Sequence, residues 1–197
     1  MEPAKINYKI YQGTTFTQTF RWETETINYV NIAGITKAAP AVITTATPHT
    51  LPVGWRFKVA NVVGMKEINN IGDDFYICHG KTATTITCNT INSQAFNAYA
   101  SGGSISWNSP MPLTGYTGKM QIRETVDSTS VILELTTTNG GIIIDPVNYT
   151  ISMLISSIQT AALNFSTAVY ALELTAPGGD VNSFVRGNLT LVREVVR

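Results

Sequence analysis

The sequence predicts an all-β protein: an antiparallel β-sandwich into which a small β-barrel is inserted. Three observations predict it. Apolar and polar residues alternate with period two along most of the chain, as in strands with one buried face. Threonine recurs in pairs and triples, at Thr14-Thr15, Thr44-Thr45, Thr84-Thr85 and Thr136-Thr137-Thr138, and a β-branched side chain suits a pleated surface. Turn-forming clusters separate the alternating runs at Ile71-Gly72-Asp73, Asn139-Gly140-Gly141 and Ala176-Pro177-Gly178-Gly179-Asp180.

The elements follow in order. Over Thr15–Trp22, Phe16, Phe20 and Trp22 share one face, and Thr15, Thr17, Thr19 and Arg21 share the other. In Trp55–Val59, Trp55, Phe57 and Val59 oppose Arg56 and Lys58. In Tyr116–Arg123, Tyr116, Met120 and Ile122 oppose Thr117, Lys119, Gln121 and Arg123. Val131, Leu133 and Leu135 oppose Glu134 and Thr136, and Tyr170, Leu172 and Leu174 oppose Ala171 and Glu173. One segment departs from this period. Ser156, followed three residues later by Gln159, is a capping-box start. It predicts one or two helical turns over 156–163, with Ile158 and Leu163 toward the core.

Residues 1–30 supply only one or two strands, which do not fold alone. They are expected to pair with residues 109–197 as a discontinuous sandwich, with 31–108 as the insert. The two flanks together hold about 119 residues, close to the ~100 of an immunoglobulin-like domain. The insert is long enough for a small barrel.

Charge narrows the function. Charged residues make up 13% of the 197, with 13 basic, 13 acidic and zero formal net charge. An average soluble domain carries about twice that share. The balance argues against a nucleic-acid partner, which calls for a basic excess, and the 44% hydrophobic content argues against disorder. Near-zero net charge favours association. Residues 1–13 hold no apolar stretch of the secretory kind, and no apolar run approaches the ~20 residues of a spanning helix. The expectation is a chain made in the cytoplasm, without a membrane partner.

Several segments together resemble a known family. They are Lys9-Ile10-Tyr11-Gln12-Gly13-Thr14-Thr15-Phe16, Leu113-Thr114-Gly115-Tyr116-Thr117-Gly118-Lys119-Met120-Gln121-Ile122-Arg123 and Leu135-Thr136-Thr137-Thr138-Asn139-Gly140, followed by Tyr170-Ala171-Leu172-Glu173-Leu174-Thr175 and Arg186-Gly187-Asn188-Leu189-Thr190-Leu191. The sandwich is similar to the immunoglobulin-like amino-terminal domain of baseplate upper proteins of tailed bacteriophages and to related tail and neck proteins. The insert, through Val42-Ile43-Thr44-Thr45, Pro48-His49, Val63-Gly64-Met65 and Glu67-Ile68-Asn69, resembles a small β-barrel module of phage tail and fibre proteins. That module usually has a Gly-Asp turn where this chain has Gly54-Trp55, which marks Trp55 as a contact candidate. The resemblance implies a virion structural protein of the neck, collar, tail or baseplate. It would dock in a homo-oligomeric ring and contact other phage proteins. Capsid decoration, or glycan binding for host attachment, are the alternative readings.

Candidate chemistry is sparse. His49 sits in a proline loop with no nucleophile signature such as Gly-x-Ser-x-Gly, and is expected to bond backbone. Cys78 and Cys88 are expected to face each other across a hairpin turning at Ala83, with His79 on the opposite face, which leaves too few ligands for a structural zinc site. The turn aspartates Asp73, Asp74, Asp127, Asp145 and Asp180 are expected to bond their own backbone. No enzyme, metal or cofactor is therefore expected. Trp22, Trp55 and Trp107 are read first as core packing; the alternative makes them interface candidates, because tryptophan and arginine are enriched at interface hot spots. The carboxy-terminal strand adds Arg193, Val195 and Arg197.

Overall fold

A computed structural model describes residues 2–194. It is all-β with one short helix. The chain forms two compact units: Glu23–Met111, and the chain up to Trp22 together with that from Pro112 onward. These boundaries differ from the expected 30/31 and 108/109. One uninterrupted strand starts directly after Trp22, so residues 23–30 belong to the insert.

The first unit begins with β1 (Ala4–Lys5), β2 (Tyr8–Tyr11) and β3 (Phe16–Arg21). The insert then supplies β4 (Glu23–Ile35), β5 (Ala41–Thr45), β6 (Arg56–Val63), β7 (Tyr76–Ile77), β8 (Gly80–Lys81), β9 (Thr85–Cys88) and β10 (Ser101–Pro110). The chain returns with β11 (Thr117–Arg123), β12 (Leu133–Thr136), β13 (Ile142–Asp145), β14 (Thr150–Ile155), helix α1 (Ser157–Ala162), β15 (Thr167–Thr175) and β16 (Val181–Val192).

In the first unit one sheet runs β1-β16-β15-β11-β12, with β2 also on β16, and a second sheet runs β13-β14-β3. The strands alternate as their sequences require: Met120, Ile122, Leu135, Ile151, Met153, Leu172, Leu174 and Val185 are buried, with polar neighbours outside. Aromatic rings join the sheets, Phe20 packing edge-on to Phe184 at 5.8 Å and Tyr8 edge-on to Phe16 at 5.5 Å. The result is an antiparallel sandwich with an added parallel edge. Between β1 and β2, Ile6 N donates to the Arg186 carbonyl at 2.9 Å, and the Tyr170 hydroxyl donates to the Ile6 carbonyl at 3.0 Å. This crossing lies directly over Gly187, where a Cβ would collide with the Ile6 carbonyl.

Helix α1 has the predicted cap. Gln159 N donates to Ser156 Oγ at 3.3 Å, and Ser156 N donates to Gln159 Oε1 at 2.9 Å. Leu163 is buried as expected, whereas Ile158 is 82% exposed. A six-residue helix buries little more than one position per turn, and here that position is Thr160, whose hydroxyl donates to the Thr14 carbonyl at 2.7 Å.

The insert is one seven-stranded sheet in the order β7-β6-β10-β4-β5-β9-β8. Its two outer strands, β7 and β8, are separated along the chain by only Cys78 and His79. The sheet therefore curls until its edges meet: Cys78 N donates to Trp55 O at 2.9 Å on one side, and His79 N donates to Thr87 O at 2.9 Å on the other. Closure of this kind removes free edges. The interior holds Val30, Ile43, Trp55, Phe57, Val59, Ile86, Ile105 and Trp107.

Candidate functional site

The three tryptophans are core residues, as the first of their two readings has it, which corrects the alternative that makes them interface candidates. Trp55 is 0% exposed, and Trp22 and Trp107 are each 5% exposed. Strand alternation decides this. Trp55, Phe57 and Val59 form the inward row of β6 and its approach, and Trp55 Nε1 donates to the Asn108 carbonyl at 2.8 Å. Trp107 meets His49 edge-on at 6.4 Å. In the sandwich Trp22 packs on Tyr116 and Phe184, with ring centroids at 5.9 and 5.4 Å. Arg193 lies just past β16 and donates to Asn164 Oδ1 at 3.1 Å. Val195 and Arg197 lie outside the described residues.

The sulfur pair is arranged differently from the expectation. Gly80 pairs with Thr87 and Lys81 with Ile86, so the turn occupies Thr82–Thr85 and the register moves by one. Cys88 instead pairs with Ala41 on β5, and both thiols are buried and unbonded. Burial pushes the Cys78 thiol up, and pushes Cys88 up to about 12. His79 is exposed, and its Nδ1 accepts from Asn89 N at 3.2 Å. His49 Nε2 lies 3.3 Å from the Thr85 carbonyl, so that nitrogen carries the proton, while buried Nδ1 has no partner. Burial holds His49 below its ordinary value. Asp145 Oδ1 accepts from Val147 N and Asn148 N at 2.9 and 3.0 Å, a turn closed by its own backbone. Among the described residues no three His, Cys, Asp or Glu side chains are grouped to hold a metal, and no helix is long and apolar enough to cross a membrane.

Two surface features stand out. The first is a groove of about 430 Å³ on the outer face of the insert. Its floor is β10, where Ser106 faces Tyr29 of β4 on one side and Lys58 of β6 on the other, and Asn108 faces Ile27. Because Ser106 is small between two large neighbours, the sheet is hollowed there. One wall is Ile27 and Tyr29; the other is Phe75 and Asp73. Tyr29 is 69% exposed and Phe75 48%. The Arg56 guanidinium lies over the Phe75 ring at 5.4 Å and is gripped by both Glu23 carboxylate oxygens at 2.6 and 2.7 Å. Lys58 Nζ donates to the Gly72 carbonyl at 2.8 Å and stands 3.8 Å from Asp73.

The second feature is β3. It pairs with β14 from Arg21↔Thr150 to Phe16↔Ile155 without a bulge, and it is the outer strand of its sheet. Its outward residues are Thr17, Thr19 and Arg21.

No protein-family model matches this chain, and no curated protein is significantly similar to it. The groove escaped the sequence reading, which took tryptophan as the contact signal. Tyr29 and Phe75 are 46 positions apart, and only the sheet order brings them to one face.

Proposed function

We propose that this chain is a structural adaptor of a tailed-phage virion, in the neck, collar, tail or baseplate region, which works by protein contact. The observation that carries the reading is the outer edge of β3. Six residues run straight along it, with no proline, lysine or bulge and a single charge at Arg21. Solitary β-proteins blunt such an edge with charge, bulges or covers. A flat edge of this kind accepts another strand through main-chain hydrogen bonds. The occupant that fits is another copy of the chain, because head-to-tail contacts around a rotation axis build a closed ring. The low charge and the resemblance of the sandwich segments to phage baseplate and neck proteins support the same reading.

The test is sedimentation of the purified chain, together with mass spectrometry of virions from the phage or prophage that encodes it. A discrete oligomer, dispersed by Thr17→Lys plus Thr19→Lys, and peptides of the chain in the virion are expected. A strictly monomeric chain absent from virions overturns the proposal.

A further inference from the structure

We infer that the groove on the insert is a binding site for a neutral oligosaccharide. This is separate from the ring-forming role proposed for β3. A sugar ring is amphipathic: its C–H faces stack on aromatic rings, and its hydroxyls both donate and accept hydrogen bonds. The groove supplies both in alternation. Tyr29 and Phe75 present exposed rings on opposite walls. Between them lie the Ser106 hydroxyl and the Asn108 side chain, whose amide nitrogen donates to the Thr24 carbonyl at 2.9 Å and whose Oδ1 is an acceptor. Lys58 and Asp73 add a donor and an acceptor on the rim.

Dimensions set the ligand size. Tyr29 is on β4 and Phe75 adjoins β7, three strand spacings away in the order β7-β6-β10-β4. At about 4.8 Å per spacing the two backbone positions lie about 14 Å apart along the sheet, the span of a short oligosaccharide and more than a single sugar needs. The volume lies within the ordinary range for ligand sites.

Charge selects against other occupants. Arg56 is neutralised by Glu23, and Lys58 stands beside Asp73. The groove offers no surplus cation for a phosphate backbone or an acidic peptide. Arg56 holds Phe75 in place: fixed by two hydrogen bonds to Glu23, its guanidinium packs over that ring at 5.4 Å.

The experiment is a titration of the full chain, followed by amide chemical shifts, with a panel of neutral di- to tetrasaccharides built from glucose, galactose, mannose and N-acetylglucosamine. A short single-stranded DNA and an acidic peptide serve as controls. At least one saccharide is expected to shift the amides of Tyr29, Phe75, Ser106 and Asn108. Tyr29→Ala and Phe75→Ala, both at exposed positions, are expected to weaken it about tenfold or more. Tyr29→Phe keeps the ring and is expected to bind normally, which separates loss of stacking from loss of fold. Silence across the panel, shifts confined to another surface, or wild-type affinity in Tyr29→Ala overturns the inference. So does a groove variant that alters sedimentation and leaves glycan binding intact, because the groove would then be a contact between copies.

Discussion

Replacing Trp55 by phenylalanine tests whether this residue holds the barrel together or meets a partner. The indole is fully buried, and its Nε1 donates to the Asn108 carbonyl. Phenylalanine removes part of the ring, worth one to two methylene equivalents at about 0.8 kcal/mol each. It also leaves the Asn108 carbonyl without its donor, at about 1 kcal/mol. The sum is a loss of about 2–3 kcal/mol, and truncation to alanine raises it to about 3–5 kcal/mol. The assay is urea unfolding followed by tryptophan fluorescence in a Trp22→Phe background, so that Trp107 reports the insert alone. With an m-value of about 1–1.5 kcal/mol/M for a unit of this size, the midpoint falls by about 2 M. The two units are fitted separately, because a chain of two units need not unfold in one step. A change within about 0.5 kcal/mol, as at ordinary surface positions, would refute the core assignment and restore Trp55 as a contact residue.

Three further outcomes are expected. Gly187→Ala drives a methyl group into the Ile6 carbonyl, so β1 and β2 should detach from β16 with a loss of more than about 2 kcal/mol, seen as lost amide protection at Ile6; a normal melting curve would contradict this. With both thiols buried and raised, Cys78 and Cys88 should resist a thiol reagent at pH 8 in the folded chain and both react after unfolding; rapid native labelling would count against the arrangement. His49 titrates below its ordinary 6.5 when folded, chiefly through burial. The unfolded chain thus binds the proton more readily, so the stability contributed by neutral His49 is complete above about pH 6.5 and is lost as pH falls through the folded value. An NMR titration of the ring and a pH series of unfolding, flat in His49→Gln, check it; a folded value at or above 6.5 would refute it.

Much of the fold is legible locally because strand alternation has a period of exactly two residues. Phe16, Phe20 and Trp22 mark the inner side of β3 and its end, and Met120 with Ile122 marks that of β11. The capping box at Ser156 and Gln159 was readable for the same reason: its partners are three residues apart. Turns were readable where one side chain closes them, as Asn139 Oδ1 does by accepting from Thr136 N and Gly141 N. Ile158 misled because two helical turns define no face without knowledge of what lies beneath. The cysteine hairpin misled because a one-residue change in turn length shifts every pairing.

By itself, then, the chain determined that it is all-β, which residues point inward along several of its strands, though Val131, grouped with Leu133 and Leu135, is exposed, and that it lacks the charge of a nucleic-acid binder. Local patterning decides these properties, since each depends on neighbours one to four positions away. Tertiary structure alone decided that Cys78 and His79 join the outer strands of a curled sheet, and that Tyr29, Ser106 and Phe75 line one groove. Those outcomes depend on which strand lies beside which. Strand order is set by the summed burial of whole sheets and not by any short stretch of residues.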